Sequence, residues 1–440
     1  MKFLTSILLG VLLSAGIVLS LPLSQEVDYS SFTGQTISKI LVIGNDHTKD
    51  HVILREMKTE VGDPFDPERI ETDRKRIQNL LLFTRVEIYP ARADENNVAL
   101  VVLVAERWHF FPYPVLFRNE RSWDKWSYGA GFIHNNLRGL NNKFFAELWF
   151  GYNPGGMFSY TNPWFGGDAH FYWKILAYSR TIKSRTLEYS PRFDEFHRGL
   201  SLTFGKRWGY HTYATVAASY DYLRYPENYK HLLPSSSRAQ HVPEVGAAFR
   251  YDTRDLYEYP RSGWYVDVYV TQTYYPDQLN FQLYGTDVRR YVSLWGDVSL
   301  ALRFALDLTH GDIPLFARHY LGYKERVRGR FYDQREGENR ALFSTELRFP
   351  ILPVRYINLP SGSSIFGQYS TDLPFGVSGG LFLDAGDVWY NESGTTMENR
   401  LIGWGAGLHF HIPYADILRV EYAFDTDWNS QYIVDIQVAF

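Results

Sequence analysis

The segment Gly376-Val377-Ser378-Gly379-Gly380 has the Gly-x-Ser-x-Gly spacing of a nucleophile elbow. That chemistry requires a strand, a strained turn and then a helix, so that the serine hydroxyl stands exposed. Here Gly380-Leu381-Phe382-Leu383-Asp384 follows and alternates like another strand, so no enzyme is expected. Gly403-Trp404-Gly405-Ala406-Gly407 is glycine-rich in the manner of a phosphate loop, but no helix opens behind it to hold an anion. Glycines that ease strand curvature are the simpler reading. His409 and His411 share one face of a strand at i and i+2, a spacing that suits a metal pair. No third ligand lies near them in sequence, so neither metal nor cofactor is expected.

The elements that carry these residues follow from composition. The chain has 440 residues and no cysteine, which excludes a disulfide scaffold, thiolate metal sites and thiol catalysis. A net charge of -4, from 45 basic and 49 acidic residues, gives no footprint for nucleic acid. Mean hydropathy of -0.29 excludes a bundle of apolar membrane helices. It is compatible with a membrane β-barrel, whose strands are apolar on one face only, and the 33 tyrosines, 30 phenylalanines and 34 glycines favour that class. Residues 1–24 read as a secretory signal peptide: Lys2 precedes an uncharged run from Phe3 to Leu21, and no basic stop-transfer cluster follows. A single anchoring helix is the alternative; both place the chain outside the cytoplasm.

After a linker over 25–35, residues 36–106 read as a small α+β domain. Ile37 to Ile43 is a strand closed by Gly44-Asn45, and Thr48 is placed to cap a helix carrying Val52, Ile53 and Met57. Asp66-Pro67 opens a second helix with Ile70, Ile77, Leu80 and Leu81 on one face. Arg85–Tyr89 and Val98–Val104 then pair across the turn at Asp94-Glu95-Asn96-Asn97. Such a unit either binds an extended peptide at its sheet edge or acts as a spacer.

A second linker is expected over 107–126, and period-two patterning then recurs over 127–440. Val298, Leu300, Leu302, Phe304, Leu306 and Leu308 oppose Ser299, Ala301, Arg303, Ala305, Asp307 and Thr309. A soluble sandwich alternates too, but here Arg, Asp and Glu occupy strand centres on the polar face. That pattern fits lipid outside and water inside, and the length suits an antiparallel transmembrane β-barrel of ~16 strands. Tyr432, Val434, Ile436, Val438 and Phe440 alternate to the terminus, as a last barrel strand would.

Together these features resemble the BamA/TamA superfamily of outer-membrane protein insertases and transporters. The resemblance runs from about Thr36 to Phe440 on motifs in the family's order: Gly129-x-Gly131, Asn136-Leu137-Arg138-Gly139, Asn162-Pro163-Trp164-Phe165, Asp252-Thr253-Arg254-Asp255, Val327-Arg328-Gly329, Glu346-Leu347-Arg348-Phe349-Pro350 and Phe382-x-Asp384-x-Gly386. It implies that the small domain is one POTRA-like unit and that Val327-Arg328-Gly329 tips a loop folded into the barrel. Arg330 stands where the family's loop motif continues with an aromatic, and Phe331 comes one place later.

The strand phase adds to this. Glu346 opposes Leu347 and Phe349, while Phe382 and Asp384 share the inward side against Leu381, Leu383 and Ala385. Two carboxylates therefore face the lumen, and an arginine fork suits such acceptors. Arg328, in a long loop from about Asp312 to Arg340, either pairs with them or sits in a solvated outer loop. The resemblance implies the pairing. The expected function is insertion or translocation of client proteins at the outer membrane of a Gram-negative-type bacterium. The small domain would sit in the periplasm, and the partners would be membrane lipid, unfolded clients and periplasmic chaperones or accessory subunits. A secretion pore for one dedicated protein and a passive channel or surface structural protein are the alternatives.

Overall fold

In the computed structural model, the described residues are 29–436 apart from 120–121, 123, 190–191, 276–278, 323–324, 359–369, 396–399 and 414–416. The signal peptide over 1–24, Val438 and Phe440 lie outside them. No helix among the described residues is long and apolar enough to cross a membrane.

The small domain contains β1 (Thr36–Ile43), α1 (Asp50–Leu54), α2 (Pro67–Gln78), β2 (Phe83–Arg92) and β3 (Asn97–Glu106). β3 is central, parallel to β1 and antiparallel to β2. The Asp66 carboxylate accepts the backbone N–H groups of Glu68 and Arg69 ahead of Pro67, so α2 starts where the sequence places it. Ile37, Val52, Ile53, Ile70, Ile77 and Ile88 close a core of their own. Thr48 does not cap α1. Lys49 holds that position without a side-chain bond, because the Thr48 hydroxyl and backbone N–H both go to Glu106.

Sixteen strands then follow in one sheet, each antiparallel to its sequence neighbours. They are β4 (Phe110–Arg118), β5 (Trp126–Leu137), β6 (Asn142–Gly151), β7 (Gly155–Phe165), β8 (Phe171–Lys183), β9 (Asp194–Trp208), β10 (Thr212–Arg224), β11 (Ala239–Asp252), β12 (Gly263–Tyr275), β13 (Leu279–Trp295), β14 (Val298–Gly311), β17 (Asn339–Ile357), β18 (Leu373–Trp389), β19 (Leu401–His411), β20 (Ile417–Asp425) and β21 (Ser430–Ile436). A separate short hairpin, β15 (His319–Leu321) and β16 (Arg335–Gly337), lies in the loop between β14 and β17. Along β9 the outward Leu200, Leu202 and Phe204 are exposed, as the alternation requires of a lipid-facing surface.

The first strand lies inside the segment expected to be a linker: the sheet begins at Phe110, not at residue 127. Pro112 and Pro114 hide it from a pattern reading, because proline cannot donate to a ladder and is tolerated only at an edge. β4 is such an edge.

Candidate functional site

The loop between β14 and β17 turns back into the barrel and seats its tip against β18, β19 and β20. Val327 is fully buried with Leu321, Leu342, Val388 and Leu401. Gly329 takes φ +92°, and a Cβ there would lie 2.4 Å from the Phe424 carbonyl oxygen, so no larger residue fits. On β19 the same economy holds: a Cβ at Gly403 would meet the Arg328 carbonyl oxygen at 1.9 Å, and one at Gly405 would meet the Phe382 ring at 2.8 Å. The alternating glycines of β19 thus clear a groove for the loop tip, rather than only easing curvature.

Arg328 fills that groove. Its Nε and Nη2 donate to the two oxygens of Asp384 at 2.7 and 2.8 Å, and its backbone N–H adds a third bond to the same carboxylate at 3.1 Å. Nη1 donates to Glu346 at 2.7 Å and to Glu421 at 2.9 Å. The guanidinium carbon stands 3.7 Å from the centre of the Phe382 ring. Arg348 binds the other oxygen of Glu346 at 2.7 Å, and Arg419 binds Glu421 at 2.7 Å. Three buried guanidiniums therefore face three buried carboxylates, and the charges balance. Arg330 leaves the groove and reaches Asp333 and Asp425 at 3.0 and 3.4 Å, while Phe331 takes the buried place beside Tyr332.

The sequence reading brought Arg328, Glu346, Phe382 and Asp384 together but missed Glu421. Its phase opposite Val420 and Tyr422 put it on the wet face; the register across β18 to β20 puts it beside Arg328. Glu346, His409 and Glu421 offer ligand atoms within 4.8 Å of one another. Guanidiniums already occupy both carboxylates, so the chemistry of this cluster is that of an ion-pair clamp. His409 Nδ1 meets the Tyr259 hydroxyl at 2.9 Å. His411 Nε2 meets Ser378 Oγ at 2.9 Å, but Ser378 lies within the continuous strand β18 and has no turn to expose it.

A second feature is the meeting of the first and last strands. No ladder joins β4 to β21 among the described residues. The His109 carbonyl accepts from Asn135, and the Asn119 N–H donates to Lys125, so odd-numbered residues of β4 bond to β5. The even-numbered residues Phe110, Pro112, Pro114, Leu116 and Arg118 direct their backbone groups to the free edge, and two of these five carry no N–H. On β21, Tyr432, Val434 and Ile436 stand exposed on the outward face.

The small domain docks on the short-turn end of the barrel. Glu56 receives a two-pronged contact from Arg207 at 2.9 and 2.7 Å, and the Tyr210 hydroxyl donates to the Met57 carbonyl at 2.9 Å. Asn79 bonds both Asp255 and Tyr257 in the turn between β11 and β12. At the β5–β6 turn, Asn136 donates to Thr48 at 2.8 Å and accepts from His47 through its carbonyl at 2.7 Å. His47 stacks on His109 with ring centres 4.0 Å apart, and His134 lies 5.1 Å from His109. These pairs span up to about 180 residues of sequence and left no local signal.

Comparison with known proteins follows the same division. Residues 136–438 match the model of the Omp85 superfamily domain, and residues 35–107 match the POTRA model described as surface antigen variable number repeat. The outer membrane protein assembly factor BamA of Neorickettsia risticii is 36% identical over 114 residues, 26% of this chain and 15% of that protein. BamA of Nitratidesulfovibrio vulgaris is 36% identical over 73 residues, 16% of this chain and 9% of that protein. The matched stretches thus span less than one sixth of either relative. Among solved structures, CdiB from Escherichia coli superposes with a TM-score of 0.57 at 12% identity, covering 93% of this chain and 77% of that one. BamA from Haemophilus ducreyi lacking POTRA domains 1-3 gives 0.52 at 16% identity, covering 91% and 83%. These structural likenesses are likenesses of fold. With the family model covering most of the sixteen-stranded sheet and a POTRA unit ahead of it, the chain belongs to the Omp85 superfamily.

Proposed function

We propose that the protein sits in an outer membrane with its small domain in the periplasm and inserts or translocates client polypeptides. The observation that carries this reading is the free edge of β4, where Pro112 and Pro114 remove two of five seam-facing donors. A seam with two donors missing closes more weakly than it would with them, and a client strand competes for it by edge pairing. The small domain supplies a second edge. Among the described residues the β1 ladder is with β3, its start is also bonded to residues 62–64, and beyond that it exposes Leu41 and Ile43 beside Leu103, a half-apolar border suited to an extended client.

Restoring the donors tests this. Pro112→Ala with Pro114→Ala adds two potential ladder bonds, each contributing about 0.5–1.5 kcal/mol net. The expected outcome is a barrel that unfolds on gels at a higher temperature and assembles clients more slowly. Normal assembly by a measurably tighter barrel would overturn the seam mechanism. Export of a single dedicated protein is the alternative reading. Depletion followed by weighing of the outer-membrane proteome separates them: loss of many barrels supports insertion, loss of one secreted protein supports the dedicated pore.

A further inference from the structure

Between the small domain and the barrel lies a cavity of about 850 Å³ that the ion-pair clamp and the seam do not use. Its floor is formed by β6 to β12 at their small-domain ends, and its roof by α2 with the residues just after α1 and α2. Nine of its lining residues are basic and four are acidic, in a chain whose overall charge is -4. Three of the four carboxylates are paired with three of the nine cations, which removes both signs equally and leaves the excess of cations in place. Glu56 is held by Arg207, Asp252 by Arg254 through two bonds of 2.9 and 2.7 Å, and Asp267 by Arg250 at 2.9 Å. Asp255 is spent on the backbone N–H groups of Arg261 and Ser262.

The cations left over are Lys143, Lys174 and Arg55: Arg76 is tied to the buried Asp73 at 2.9 Å, Lys75 reaches Glu71 at 3.5 Å, and Lys206 lies over the Phe171 and Trp208 rings. Lys143 and Lys174 have no hydrogen bond or ion pair among the described residues. Arg55 lies over the Trp164 ring at 4.4 Å, its Nε 3.8 Å from Glu56 and without a hydrogen-bond acceptor. Burial, with Arg207 adding to it and Glu56 opposing, holds the Arg55 guanidinium down to about 10. Arg76 covers the Tyr210 ring at 4.0 Å and keeps its buried Nε unbonded. These charges do not converge on one point. Lys143 pairs across with Thr161 and Thr161 with Lys174, so the two lysines sit in one transverse row two strand spacings apart, about 9.5 Å. A single phosphate needs donors that meet at one anion. Dispersed cations separated by tyrosine and tryptophan rings suit carboxylates spread along an extended chain, whose same-face side chains repeat every ~6.6 Å.

We infer that this chamber is a binding site for an acidic, extended polypeptide segment, held as it passes from the small domain toward the lumen. The inference takes the translocation reading only for the source of the segment; the binding itself is a property of the purified protein. The test uses the full chain in detergent and a fluorescent ten-residue peptide rich in glutamate, with its glutamine counterpart as control. The acidic peptide is expected to bind, and the glutamine peptide is not. Lys143→Gln with Lys174→Gln is expected to weaken binding roughly tenfold, as the loss of two half-exposed ion pairs would. Lys230→Gln, in the loop between β10 and β11 where it pairs with Glu227, is expected to leave it unchanged. If the double variant does not fold, the wild-type protein still decides the matter. Raising salt from about 0.1 M to about 1 M shortens the Debye length from about 10 Å to about 3 Å and is expected to release the peptide. Equal binding of both peptides, salt-independent binding, or displacement of the acidic peptide by inorganic phosphate at low millimolar concentration would overturn the assignment. Client assembly that fails while the peptide still binds would count against the translocation reading alone.

Discussion

At the residue scale the decisive group is Arg328. Its guanidinium has five N–H donors, and those recorded reach three carboxylates on three strands. Arg328→Ala leaves Asp384 without its fork and buries uncompensated negative charge, which costs about 3–5 kcal/mol when one partner of a buried pair is removed. The expected outcome is a loop from Asp312 to Glu338 that proteases cut readily, with lower activity. Arg328→Lys restores the charge but not the planar fork, and is expected to rescue only part. Adding Asp384→Ala to Arg328→Ala is expected to cost little more than either change alone, because the two act as one unit. Additive loop cleavage rates would show that they do not. Arg328 and its acceptors Glu346 and Asp384 were legible from strand phase and a loop motif. Glu421 was not, because a period-two pattern gives a residue its face but no register across three strands.

At the element scale the junction between β3 and β4 joins the two domains. His109 is stacked on His47 and flanked by His134, with the Glu106 carboxylate near enough to act on it. Burial lowers the His109 imidazole below its ordinary value, and the two neighbouring histidines lower it further against a smaller upward pull from Glu106. A group depressed in the docked state binds its proton more readily when the domains part. Docking is therefore complete above an ordinary imidazole value of about 6.5 and weakens as pH falls through it. Hydrogen exchange over residues 107–110 is expected to speed up below that pH. His109→Phe keeps a stacked ring without a proton to gain and is expected to flatten the profile; an unchanged profile in that variant would remove His109 as the cause. The adjoining β4 was invisible as a strand for the reason that makes it interesting, its prolines at the edge.

At the scale of the whole molecule, two cores are stitched by polar contacts. The small domain has its own apolar cluster, and the barrel owes its integrity to ladders that never pass through that cluster. Deleting residues 36–106 is therefore expected to leave a barrel that resists cold detergent and shifts on boiling, while client assembly is lost. The deletion also uncovers Arg207, whose Glu56 partner goes with the domain. Normal client assembly by the truncated barrel would make the small domain a spacer.

The sequence by itself determined what depends on neighbours along the chain. Period-two alternation, turn residues and the Asp66-Pro67 cap are local, and they yielded the helices, the wet and apolar faces and a strand number close to sixteen. The tertiary structure alone decided what depends on register and closure. It placed Glu421 beside Arg328, aligned the β19 glycines under the loop tip, turned the bare positions of Pro112 and Pro114 toward the free edge, and gathered Lys143, Lys174, Arg55 and Arg76 around one cavity. Each of those depends on which residue of one strand stands opposite which of another. That choice is made by the sum of many weak cross-strand contacts over the whole sheet, and no short stretch of sequence carries it.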